Sequence, residues 1–298
     1  MRVADVNCTG WFFPAERFRD RNSGVLHCAA IMPIQCDYHM HTPLCKHAAG
    51  PMEDYVQRAI DLGLREVGFS DHNPLPGGRG ATVRMSEEEI DYYVERVTEL
   101  QFRYRIQIDV MLGLEMDYLE GLEDYLAKQV TKYPWDYVLG SIHYLDSECR
   151  VGSWPRNYDG DGHALYTRYF ELMRRMAASG LCDIVAHFDV AKRSGCLPGE
   201  RESEDIARTL EAIRAADLSL EINTSGYRHA ELPEPQPYPS LAIVEQALKL
   251  GIPLTVNSDA HAPDQVGLRF AEVEAFLKRK GCRQLAKFDR RKRSRYDL

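Results

Sequence analysis

The sequence predicts an α/β barrel built from seven β/α units. Short runs that are apolar on both faces alternate with amphipathic helical stretches, the pattern of a parallel sheet covered on both sides. Seven such units suit a closed barrel better than an open doubly wound sheet. No GxGxxG follows the first run, which removes the main support for a dinucleotide-binding fold. A chain of 298 residues lies within the range of one such barrel.

In chain order, residues 1–31 carry charges throughout and show weak periodicity. They are expected to form an extension outside the fold, with Met32 as a second candidate initiator and residues 32–298 as one barrel domain. With no continuous apolar h-region, the segment is a poor signal peptide. The expected strands are "IQCDYH" (34–39), "EVGFSDH" (66–72), "IQIDVMLGLEM" (106–116), "DYVLGSIHY" (136–144), "CDIVAHF" (182–188), "LSLEINT" (218–224) and "IPLTVNSDAH" (252–261). Between them, amphipathic helices are expected over 52–64, 86–105, 163–179, 203–217 and 238–251. Ser86 and Glu89 form a capping box for the second of these. The Pro-rich stretch 231–240 reads as a loop over the barrel mouth. The basic C-terminal "KFDRRKRSRYDL" reads as a solvated tail.

A 44% apolar fraction describes a globular protein with a large core, and a net charge of −8 argues against a general nucleic-acid binder. A small anionic substrate stays compatible with that charge if bound metal reverses the local field. The eight cysteines include no CxxC pair, which favours free thiols in a reducing cytoplasm over a disulfide framework. No apolar run approaches the length of a membrane span.

Seven of the ten histidines end an expected strand or follow one closely. His39 and His41 end the first, with His47 on the loop after it; His72 follows Asp71 on the second; His143, His187 and His261 belong to the fourth, fifth and seventh. Glu115, Asn223 and Asp259 hold equivalent places on the third, sixth and seventh. In a parallel barrel the C-terminal strand ends meet at one mouth, so these groups converge. Imidazole with carboxylate suits Zn, Mn or Fe. So many ligands exceed what one tetrahedral ion takes, which implies two or three divalent ions. His27, His163 and His229 fall outside the pattern and are expected at the surface.

The segments "DYHMHTPLCKHA", "GFSDHNP", "GLEMDY", "LGSIHYL", "DIVAHFDVAKR", "EINTSGYR" and "NSDAHAPDQVG" resemble the ordered motifs of the PHP (polymerase and histidinol phosphatase) superfamily. Within it, similarity is to the histidinol-phosphate phosphatases, over roughly residues 34–288. The resemblance implies a distorted (β/α)7 TIM-like barrel with its active site at the C-terminal strand ends and three metal ions. It implies that His39, His41, Glu115 and Asp259 hold the first ion, with Glu115 bridging to a second held by His143 and His187. His47, His72 and His261 would hold the third, with Asp71 and Asp37 orienting ligand imidazoles from behind.

The implied reaction is hydrolysis of a small phosphate monoester, L-histidinol phosphate, in histidine biosynthesis. Another PHP-type hydrolase, acting on nucleotides, sugar phosphates or amides, is the alternative reading. A non-catalytic polymerase module is disfavoured because the ligand set is complete. Glu115, Asp259, His261 and Arg193 are the expected catalytic groups. Arg193, on the loop that follows His187, would clamp phosphate. Arg156, Asn223 and Arg228 are further candidate substrate contacts, and His261 or Asp189 could protonate the leaving alkoxide.

Overall fold

Seven parallel strands in strict chain order form a single sheet. They are β1 (Cys36–Asp37), β2 (Glu66–Phe69), β3 (Asp109–Asp117), β4 (Tyr137–Ser141), β5 (Ile184–Val185), β6 (Ser219–Asn223) and β7 (Leu254–Asn257). Helices α1 (Met52–Leu62), α2 (Ile90–Tyr104), α3 (Glu123–Lys132), α4 (Gly162–Ala178), α5 (Ser203–Ala215) and α6 (Leu241–Lys249) each link one strand to the next, and α7 (Phe270–Arg279) follows β7. The structure, a computed structural model, describes residues 33–154, 161–229 and 235–298. The expected N-terminal extension, His27 and Arg156 lie outside the described residues.

Strand parity sorts the side chains. Leu112, Leu114, Met116, Val138, Leu220, Ile222, Leu254 and Val256 join the core between sheet and helices. The opposite parity faces the barrel interior, where Cys36, Tyr38, Met111, Tyr137, Leu139 and Ile184 cluster. Tyr137 fills this interior beside Gly68 and Gly113, where any added side chain would collide with its ring. Its hydroxyl donates to the Tyr38 carbonyl at 2.6 Å. Toward the C-terminal strand ends the same inward rows become polar, with Glu115 and Asp117, Ser141, Glu221 and Asn223, and Asn257 all buried. An apolar plug thus lies below and a polar floor above.

The sheet meets itself at β1 and β7 through an isolated bridge, Met40 with Ala260. There His41 N–H donates to the Ala260 carbonyl at 2.9 Å and Ala260 N–H to the His39 carbonyl at 3.0 Å. The result is the distorted, nearly closed (β/α)7 barrel that the sequence implied.

Two expectations need correction. Helix α2 begins at Ile90 rather than Ser86: the Glu89 carboxylate accepts Ser86 N–H at 2.8 Å, but no side chain caps the helix. The basic C-terminus is no solvated tail. It forms an antiparallel hairpin, β8 (Gln284–Asp289) and β9 (Lys292–Asp297). Ala286 and Phe288 of β8 complete the interior cluster. Lys287 pairs with Glu66 at 2.7 Å, and the Arg291 guanidinium grips Asp183 at 2.9 and 3.1 Å. Glu66 and Asp183 stand at strand starts, so the basic run neutralises acidic groups at the bottom of the barrel.

Candidate active site

Most of the predicted ligands sit just past the hydrogen-bonded strands rather than on them; Glu115, in β3, is the exception. The backbone turns sharply there, with His187 at φ 22° and Asp259 at φ 52°. A non-glycine residue in that region is uncommon and characteristic of sites that aim a side chain.

Glu115 is the centre of the arrangement. Its Oε2 faces His72 Nδ1 at 2.8 Å and the Nε2 atoms of His39 and His41, both at 3.4 Å. Its Oε1 faces His187 Nε2 at 2.8 Å and His143 Nε2 at 3.4 Å, and accepts the Ser141 hydroxyl at 2.6 Å. Asp259 Oδ1 lies 3.2 Å from His41 Nε2 and 3.6 Å from His39 Nε2. At the outer rim the Nε2 atoms of His47 and His261 are 2.9 Å apart. All nine predicted ligands therefore meet at one cavity of about 280 Å³ or directly beneath its floor.

The donor set suits metal. His39 Nε2, His41 Nε2, His72 Nδ1 and Glu115 Oε2 are buried without a hydrogen-bond partner although they converge on each other. Buried polar atoms are rarely left so, and a cation among them would satisfy all four. Two overlapping groups, His39 with Glu115 and His187, and His39 with His41 and Asp259, have ligand atoms close enough to share an ion. Burial opposes charge on His39 and His41, yet the carboxylates around them, Glu221, Asp259 and Glu115 among them, raise both pKa values well above the ordinary imidazole value. Burial pushes His72 down to about 4, which suits a neutral donor to metal.

A protein-family model described as PHP domain matches residues 37–225 of this chain. The chain belongs to the PHP-domain family. A Deinococcus radiodurans protein named probable histidinol-phosphatase is 36% identical over 246 residues, covering 80% of this chain and 90% of the relative. The Bacillus subtilis histidinol-phosphatase is 27% identical over 277 residues, covering 82% and 98%. Among solved structures, the Lactococcus lactis histidinol phosphate phosphatase in complex with zinc, L-histidinol and phosphate has TM-score 0.75 at 19% identity, covering 88% of this chain and 99% of that one. At that identity the likeness establishes the fold.

Behind the predicted ligands of this PHP barrel stand carboxylates that sequence reasoning missed. Glu221 contacts His39 Nδ1 at 2.7 Å and accepts from His187 N–H at 2.8 Å and from the Asn257 amide at 2.9 Å. Asp117 contacts His143 Nδ1 at 2.6 Å and pairs with the buried Arg84 at 2.5 Å. Both were marked by parity: each lies two residues from a singled-out strand-end group, Asn223 or Glu115, on the same face. Asp71 does orient an imidazole, His41 Nδ1, at 3.3 Å. Asp37 does not. It accepts the backbone N–H groups of Ser258 at 2.9 Å and Gly267 at 3.1 Å, tying β1 to the loops after β7.

The substrate contacts need sorting too. Asn223 is fully buried; its amide nitrogen donates to Glu221 at 3.0 Å and Asp259 at 3.2 Å, and its oxygen accepts Ser225 N–H at 2.9 Å. Saturated in this way, it positions carboxylates rather than touching substrate. Arg228 donates to the Asp259 carbonyl at 2.8 Å and to Gln265 at 2.6 Å, which accepts His261 N–H at 2.9 Å. It buttresses the ligand-bearing loop. Arg193 lines the cavity. Asp189 does not: it accepts from Lys192 at 3.1 Å and from Ser240 N–H at 2.9 Å. Burial and the His41 imidazole push His261 well below its ordinary pKa, which suits a ligand better than an acid. His163, expected at the surface, contacts Glu202 at 3.0 Å. The described cysteines are free, and among the described residues no helix is long and apolar enough to cross a membrane.

Proposed function

We propose that this PHP barrel is a metal-dependent phosphomonoesterase that hydrolyses L-histidinol phosphate to L-histidinol and phosphate. The observation that carries the reading is Glu115, a buried carboxylate whose two oxygens face two separate sets of imidazole nitrogens at the base of a small cavity. Such a carboxylate fits the bridge of a polynuclear centre. His39, His41, Glu115 and Asp259 would hold one divalent ion, Glu115, His143 and His187 a second, and His47, His72 and His261 a third. Zn, Mn or Fe fits this donor set. Bound there, the ions would activate water and stabilise charge on the transferring phosphoryl group.

The chain's own residues do the rest. Glu221, Asp117 and Asp71 fix the rings of His39, His143 and His41. Ser141 holds Glu115 by a hydroxyl donor. Arg193 presents a guanidinium to the cavity, where a fork of donors matches phosphate oxygens. A cavity of about 280 Å³ suits a small phosphorylated molecule. Relatives named histidinol-phosphatase, at 36% and 27% identity over most of both chains, support L-histidinol as the alcohol.

The test is phosphate release by zinc- or manganese-loaded protein from L-histidinol phosphate and from a generic aryl monoester. A kcat/KM ratio on the order of 10² in favour of histidinol phosphate is expected, since a built pocket rejects a substrate that leaves its polar groups unpaired. Equal turnover of both would point to a broad phosphoesterase. No release from either would end the phosphatase reading.

A further inference from the structure

Arg193 meets the cavity beside Trp154. It lies in a single turn, Val190–Ser194, and among the described residues no carboxylate or carbonyl pairs with it. The neighbouring arginines differ. Arg84 is committed to Asp117 and the Asn73 carbonyl, and Arg228 to Gln265 and the Asp259 carbonyl. What holds Arg193 is the Trp154 ring, whose centroid lies 4.9 Å from the guanidinium carbon.

Trp154 is itself fixed to the metal-bearing end of β4. Ser153 N–H donates to the His143 carbonyl at 2.9 Å and Leu145 N–H to the Val151 carbonyl at 2.8 Å, so the loop folds back on the strand end. The Asp146 carboxylate accepts Glu148 N–H at 2.9 Å and Arg150 N–H at 3.1 Å, which shapes the intervening turn. The Trp154 ring stands at 89° to the His143 ring, centroids 5.4 Å apart. Both rings line the cavity.

The choice of partner has a chemical consequence. A carboxylate would hold a guanidinium equally well but would neutralise it and occupy its donors. An aromatic face attracts the cation through its quadrupole and leaves every N–H and the full charge free. In a chain of net charge −8, that is how an arginine can wait for a dianion without being captured by the protein's own acids.

We propose that Trp154 is a positioning residue for phosphate recognition, holding the Arg193 guanidinium over the cavity with its donors free. The proposal rests on the phosphomonoester reading above. A double-mutant cycle on metal-loaded, full-length protein tests it, with calorimetric binding of inorganic phosphate as the readout. Trp154→Ala should weaken phosphate binding about tenfold, with Trp154→Phe keeping most of the affinity because it retains a π-face. In an Arg193→Ala background the same Trp154→Ala change should cost less than about twofold, since the two residues act as one unit.

Metal content and melting temperature, unchanged in each variant, separate positioning from misfolding. Should Trp154→Ala fail to fold, Trp154→Leu replaces it, keeping apolar volume without a π-face. A full, additive loss in the Arg193→Ala background would overturn the proposal, as would parent-like binding in Trp154→Ala. If the parent releases phosphate from histidinol phosphate while the cycle is additive, the fault lies with Trp154 alone. If the parent neither binds phosphate nor hydrolyses the monoester, the underlying reading falls with it.

Discussion

A carboxylate serves two ions when its oxygens face different ways, and Glu115 is held in that posture from both sides. Glu115→Ala is therefore expected to lower bound metal by more than one equivalent and abolish turnover, whereas His47→Ala at the rim loses less. Elemental analysis checks it; retained metal in Glu115→Ala would refute the bridge. Glu221→Ala removes the group that orients His39 and should weaken metal affinity about 10–100-fold, read by chelator competition. Arg193→Ala should lower kcat/KM on the order of 10²-fold with metal content intact, as for loss of one preorganised donor. The raised pKa values of His39 and His41 set a pH dependence. These imidazoles hold protons more tightly than free histidine, so metal would have to displace them, and apparent affinity should fall as pH drops below their raised pKa values. A flat profile would contradict it. Most of the predicted ligands were legible because they close or follow an apolar run, whereas Glu221 sits inside one, and Asp117, just past Glu115, reads as one more acid at a strand end.

At the scale of elements, the seven β/α units were legible because sheet and helices impose different apolar periods on one chain. Strand lengths were not. "CDIVAHF" reads as one strand, yet the ladder covers Ile184–Val185 before the backbone turns to aim His187. The ligand-bearing residues continue the apolar pattern while leaving the sheet. The C-terminal hairpin was invisible for another reason: its lysines and arginines find their carboxylates, Glu66 and Asp183, more than a hundred residues away, and no local pattern records that. Because Phe288 closes the interior cluster, Phe288→Ala should destabilise the fold by about 3–5 kcal/mol in urea unfolding. A loss below about 1 kcal/mol would mean that the hairpin merely rests on the barrel.

For the whole molecule, an ion that binds the folded chain and not the unfolded one adds stability by mass action, so chelation should lower the melting temperature. The Met40–Ala260 bridge gives that effect a location. The residues that join the two margins of the sheet are flanked by His39 and His41 on one side and Asp259 and His261 on the other. Closing the sheet at this bridge also brings the predicted ligands of its two margins together, His41 with Asp259. A chain whose ends have parted can keep its helices and most of its ladders, yet it has no site. Activity should then vanish at urea concentrations that leave helical circular dichroism intact, with hydrogen exchange rising first at residues 36–41 and 254–261. The predicted ligand cluster would then be the buckle of the barrel, and inactivation should begin where the buckle opens.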